Sequence, residues 1–169
     1  KISKLRIEDS FIKEEVDIAS ILARAIKSAK VNAEAKGVKL SLINHRKEKH
    51  TIQGDPLLIQ IALSNIISNA IKYNFMDGIV EIEVDEDKDN LIIKVSDNGV
   101  GIPKEETLKI FNDFYRGSNI KHGSIEGSGL GLSVVKQIVE RHNGTINVQS
   151  PSHLSTNKYP GTCVKITLP

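Results

Sequence analysis

The stretch from residue 56 to 73 constrains this chain's fold more than any other. Leu58, Ile59, Ile61, Ala62, Ile66, Ala70 and Ile71 supply a broad apolar surface at helical spacing, so the helix they form must be packed against something. Asp55-Pro56 marks its start. Asp suits the N-cap, and Pro suits the first helical position, where its missing N–H leaves no bond unmade. Beside the apolar surface runs a polar stripe. Asn65, Asn69 and either Lys72 or Tyr73, spaced by four and three, share one face. Asn is a poor interior helix former. Repeated beside a buried face, it reads either as a solvated surface or as a set of neutral oxygen ligands for Mg²⁺, with Lys72 or Tyr73 reaching phosphate.

Other segments must cover that helix. Residues 18–36 form a second amphipathic helix through Ile18, Ile21, Leu22, Ala25, Ile26 and Ala29, with Gly37 as its C-terminal cap. Residues 38–43 alternate as a strand. In residues 79–84, Ile79, Glu81 and Glu83 face one way and Val80, Ile82 and Val84 the other. A polar turn at 85–90 leads to a strand at 91–96. Residues 104–111 suggest a short helix, and 116–128 a Gly/Ser-rich mobile loop. A third helix spans 129–142 and ends at Asn143-Gly144. Strands at 145–149 and 162–168 flank a Pro/Ser/Asn-rich loop, 150–161, for which the sequence offers no role. Helices and strands mix without strict βαβ alternation. The expected architecture is a two-layer α/β sandwich: a mixed, mostly antiparallel sheet of about five strands with about three helices on one face.

The chain's 169 residues suit one domain, and 39% hydrophobic with 26% charged residues argues against disorder. A net charge of +2, spread along the chain, gives no case for nucleic acid. The one cysteine, Cys163, excludes an internal disulfide and suits a small core position. No apolar run reaches the ~18–20 residues of a membrane span.

Three more segments carry chemistry. Asp97-Asn98-Gly99-Val100-Gly101 follows a strand directly. Its glycines allow close approach of backbone to a flat ligand, and Asp97 can accept from an exocyclic amine such as that of adenine. Gly127-Ser128-Gly129-Leu130-Gly131-Leu132 opens a helix, whose first N–H groups suit phosphate. It is neither a P-loop nor a dinucleotide fingerprint, because no Lys-Ser/Thr follows and the third glycine comes too early. Between them lies Phe111-Asn112-Asp113-Phe114-Tyr115-Arg116.

In this order the four segments resemble the N, G1, F and G2 boxes of the ATP-binding catalytic domain of bacterial sensor histidine kinases. That family belongs to the superfamily shared with type II topoisomerases, mismatch-repair ATPases and heat-shock chaperone ATPases. The resemblance runs from about residue 16 to the end. It implies ATP held between the N-box helix and a flexible lid at about 112–128. Asn69 is implied to coordinate Mg²⁺ with Asn65 beside it, Lys72 to contact phosphate, and Tyr73 to line the nucleotide site. Asp97 is implied to bond the adenine amino group. Gly99 and Gly101, with Ile102, lie at the base, while Ser128, Gly129, Leu130, Gly131 and Leu132 lie near the phosphates. Phe111 and Phe114 are implied to anchor the lid, and Arg116 to assist phosphoryl transfer.

Hydrolysing members of the superfamily place Glu where Asn65 stands. An amide cannot take a proton from water, so the chain is expected to transfer the γ-phosphoryl group rather than hydrolyse ATP. None of His45, His50, His122, His142 or His153 sits in the family's phosphoacceptor pattern. The acceptor is therefore expected on a separate helical domain of the parent protein, with a response-regulator receiver domain downstream. Residues 1–15 resemble the end of that domain's helix and a linker, leaving 16–169 as the catalytic domain. The fragment is expected to be a cytoplasmic monomer without nucleic-acid or membrane contacts, its parent a homodimer that is membrane-anchored in many relatives. Two other readings share the boxes: an anti-sigma-factor-type serine kinase, and a nucleotide-binding regulatory module without transfer activity.

Overall fold

A computed structural model describes residues 11–47, 51–112 and 131–169. Its centre is the helix expected from residue 56, here α2 (Pro56–Lys72). The Asp55 carboxylate caps it by accepting from the N–H groups of Leu57 at 3.0 Å and Leu58 at 3.2 Å. Its buried face comprises Ile59, Ala62, Leu63, Ile66, Ile67, Ala70 and Ile71. Leu63 and Ile67 belong to the core, while Ile61 is exposed; the helical stripe is therefore rotated from the one expected. Each fully buried Ile or Leu contributes about 1.5–3 kcal/mol.

On one side of α2 packs α1 (Ile18–Lys36), and on the other α3 (Gly131–Arg141). Asp17 caps α1, accepting from Ala19 N–H at 3.2 Å and Ser20 Oγ at 3.0 Å. Gly37 ends it in the left-handed region at φ 71°, a conformation that favours glycine.

Beneath the helices lies a sheet of β2 (Lys39–Asn44), β4 (Ile79–Asp87), β5 (Asn90–Asp97), β7 (Thr162–Leu168) and β6 (Thr145–Gln149), in that spatial order. β2 and β4 run parallel, joined by the crossover through α2, and the other pairs are antiparallel. Val80, Ile82 and Val84 face the helices with Leu91, Ile93 and Val95, while Glu81 and Glu83 point to the open face. The two-layer sandwich is as expected.

Four details differ from the sequence reading. The β4–β5 ladder runs on to Asp87 and Asn90, because backbone pairing at a solvent-exposed end needs no apolar side chains. A small second ladder, β1 (Glu14–Asp17) with β3 (Thr51–Gly54), has only Val16 and Ile52 as buried apolar members, directly paired. The expected helix at 104–111 is two 3₁₀ turns, Lys104–Glu106 and Lys109–Phe111. Ile110 alone is buried there and Leu108 is 84% exposed, so no apolar face sustains a longer helix. Finally, the boundary drawn between 15 and 16 falls inside β1, and Ile12 N–H donates to Asp55 Oδ2 at 3.1 Å. Residues 11–15 thus pack as part of this folded unit.

Candidate functional site

The end of β5, the end of α2 and the start of α3 meet at one pole of the sandwich. Asp97 is the last residue of β5 and only 8% exposed. Its Oδ1 accepts from Gly99 N–H at 2.9 Å and Thr162 N–H at 3.2 Å. Its Oδ2 accepts no hydrogen bond among the described residues. Burial raises this carboxyl to about 6, against the two backbone N–H bonds, which lower it.

The Asp97 segment is stitched to α2. Val100 N–H donates to the Tyr73 carbonyl at 3.1 Å, and a Cβ at Gly99 would strike that carbonyl. Asn98 Oδ1 accepts from Ile79 N–H at 2.8 Å. Gly99 therefore permits a close approach of the chain to itself. Gly101 acts likewise: at φ 71° it packs against Pro160.

On α2, Asn65 and Asn69 are half-buried on one face. The Asn69 amide lies 3.5 Å from where a Cβ of Gly131 would sit, so the N-box stripe opens onto the first described residue of α3. Leu132 follows on α3, half-buried. Lys72 stands at the border of the stripe. Its ammonium is 5.5 Å from the Tyr73 ring centroid, and it also lines the groove between α1 and α2. Ile102 is half-buried, its N–H donating to Ser150 Oγ at 3.1 Å. Phe111 is half-buried beneath Lys136, whose ammonium lies 5.5 Å from the ring centroid. Phe114, Arg116, Ser128, Gly129, Leu130 and the lid apart from Asn112 lie outside the described residues, as do His50 and His122.

Several residues at this pole went unnoticed in the sequence. The 150–161 loop braces the Asp97 segment from outside. Ser152 Oγ donates to the Asp97 carbonyl at 2.7 Å, Gly161 N–H to the Gly99 carbonyl at 3.0 Å, and Ser150 Oγ to the Gly161 carbonyl at 2.7 Å. Tyr159 stacks on Phe75, just past α2, with ring centroids 3.7 Å apart. Asn74 is buried and holds the α2–β4 connection, donating to the Ile79 carbonyl at 3.1 Å. From α1, Lys36 Nζ donates to the carbonyls of Ile71 at 3.2 Å and Lys72 at 2.9 Å, and burial lowers its ammonium below the usual lysine range. A Lys before a Gly cap is a recognisable helix-end signal; the serines carried none.

Residues 54–169 match the family described as histidine kinase-, DNA gyrase B- and HSP90-like ATPases. The chain belongs to this family. Among its relatives, the sensor-like histidine kinase SenX3 of Mycobacterium tuberculosis (strain ATCC 25618 / H37Rv) is 34% identical over 154 residues, 91% of this chain and 35% of that protein. Sensor histidine kinase YvrG of Bacillus subtilis (strain 168) is 35% identical over 132 residues, 78% of this chain and 22% of that protein. The solved structure of the mycobacterial sensor histidine kinase MprB superposes with a TM-score of 0.79 at 28% identity, covering 94% of this chain and 97% of that one. The histidine-kinase-type ATPase domain expected from the four boxes is thus borne out in family and fold. The chain spans about a fifth to a third of the length of the two curated relatives. Among the described residues, no helix is long and apolar enough to cross a membrane.

Proposed function

We propose that this ATPase domain binds ATP with Mg²⁺ and presents the γ-phosphoryl group to a histidine on a separate helical domain of its parent protein, in two-component signalling. The observation that carries the reading is the Asp97 carboxylate. Backbone N–H groups fix one oxygen, and the other is left for a donor such as the adenine amine. Adenine binding favours the ionised carboxylate, since a charge-assisted bond is about twice as strong as a neutral one.

Asn69 and Asn65 suit a Mg²⁺ ion. Their amide oxygens are neutral, and Gly131 leaves the Asn69 amide uncovered by any side chain of its own. When bound, Mg²⁺ neutralises charge on the phosphates and fixes their orientation. Lys72, from the same helix, would add a cation to the phosphates, and Arg116 would assist transfer. No described residue on the α2 stripe is a carboxylate able to activate water, which favours transfer over hydrolysis.

The described histidines support an external acceptor. His142 is buried, with Nδ1 2.7 Å from the Ile138 carbonyl and Nε2 accepting from Asp55 N–H at 2.9 Å. His45 and His153 bond Glu83 and Glu81, whose side chains point to the sheet face away from α2. Incubating the chain with labelled ATP and the parent's helical domain should yield an acid-labile phosphohistidine on that domain and negligible label on the chain itself. Acid-stable phosphoserine would select the serine-kinase reading, and nucleotide binding without transfer the regulatory module.

A further inference from the structure

The open face of the sheet holds a second cluster that ATP chemistry does not use. Glu81 and Glu83 are two apart on β4, so both point to that face. His153, from the 150–161 loop, reaches over with Nε2 2.9 Å from Glu81 Oε1. His45, just past β2, places Nε2 3.2 Å from Glu83 Oε2 and is anchored through its own N–H to the Val84 carbonyl at 2.8 Å. One ligand atom each from Glu81, Glu83 and His153 lie within 4.8 Å of one another. Among the described residues, the ion pairs of both carboxylates are with imidazoles.

A second, independent observation comes from β5. Ser96 is the register partner of Glu81 and so shares its face. It is 1% exposed, and its Oγ is the one buried side-chain polar atom without a hydrogen-bond partner among the described residues. A buried hydroxyl left unpaired costs about 1–3 kcal/mol. This hydroxyl, on the strand position opposite Glu81, has hydrogen-bonding capacity that a water carried by an ion at the cluster would use.

We propose that Glu81, Glu83 and His153 form a site for a divalent first-row transition ion of the Zn²⁺ class, with His45 orienting Glu83. Two carboxylates balance the charge of the ion, and imidazole nitrogen selects Zn²⁺ over Mg²⁺ or Ca²⁺, which take oxygen. Zn²⁺ bonds of about 2.0–2.2 Å set tetrahedral ligand atoms roughly 3.4 Å apart, so the Glu81–His153 pair, at 2.9 Å, must open slightly while Glu83 closes in. Partly exposed side chains on a rigid strand can make that adjustment. The strand supplies two ligands and the loop one, so the ion would clip the 150–161 loop to the sheet. It is distinct from the asparagine site on α2, which offers only amide oxygens.

The test is calorimetric titration of the chelator-stripped chain with Zn²⁺, without nucleotide and in a non-coordinating buffer. One site is expected, and excess Mg²⁺ should leave it occupied. Glu81→Gln and His153→Ala should each weaken it at least tenfold. His45→Ala, which removes a partner of a ligand, should cost about 10- to 100-fold. Amide NMR of the unmodified chain guards against loss of fold in a variant: Zn²⁺ should shift residues 45, 81, 83, 96 and 153. Affinity unchanged in both ligand variants, loss of the site on Cys163→Ser instead, or shifts confined elsewhere would overturn the assignment.

Discussion

Two buried aspartates bracket α2, and they differ in what is left over. Asp55, at the N-terminal end and 5% exposed, is saturated. Its Oδ1 takes the N–H groups of Leu57 and Leu58, and its Oδ2 takes that of Ile12. Asp97, beside the C-terminal end, has both of its internal bonds on Oδ1. One carboxylate is used up by the fold; the other keeps an oxygen that no described residue uses, the one the proposed adenine contact would take. Burial is nearly equal in the two, so burial does not set them apart. The unspent acceptor does.

The widest separation between the two should come from Asp97→Asn. The amide keeps an oxygen for Gly99 and Thr162 but loses the charge, so ATP affinity should fall by about 1.5–3 kcal/mol, roughly 10- to 150-fold. Tripolyphosphate affinity should be spared; equal loss for both ligands would remove Asp97 from the base site. Asp55→Ala should behave oppositely. It should cost up to about 2 kcal/mol in denaturant unfolding, by loss of the cap, with ATP affinity per folded molecule unchanged.

A third, smaller effect is pH dependence. In the nucleotide-free chain Asp97 ionises near 6, against 3.8 for an ordinary Asp. The folded state therefore holds a proton that the unfolded state releases in that window. Fold stability falls as pH rises from about 4 to 6, the reverse of a salt-bridged carboxylate. ATP favours the ionised form, so its affinity should drop about tenfold from pH 7 to 5, with proton release on binding near 6. Asp97→Asn, measured alongside, should remove this component; an identical pH profile in both proteins would contradict it. Smallest is Ser152→Ala, which deletes a bond to the Asp97 carbonyl and should cost about 1 kcal/mol of stability.

The elements around these aspartates were legible to different degrees. Asp55-Pro56, the α1 stripe and Gly37 are local signals, read at their true places because capping and periodicity act within a few residues. Of the residues the four boxes single out, Asn69, Gly131, Asp97 and Tyr73 come together at one pole among the described ones. The partners of Asp97 were not legible. Thr162 and Ser152 lie 65 and 55 residues away in sequence, and only the sheet order brings them near. Gly99 and Gly101 also make room for the Tyr73 carbonyl and Pro160, contacts that no local signal announces. The β1–β3 ladder was invisible because four-residue polar strands carry no periodic signal.

The most direct test of the whole account is calorimetric titration of ATP into the chain with and without Mg²⁺, on the unmodified protein and on Asn69→Ala. One saturable site is expected, tightened by Mg²⁺ in the unmodified protein and indifferent to Mg²⁺ in the variant. Absence of binding, or a Mg²⁺ effect that survives Asn69→Ala intact, would contradict it.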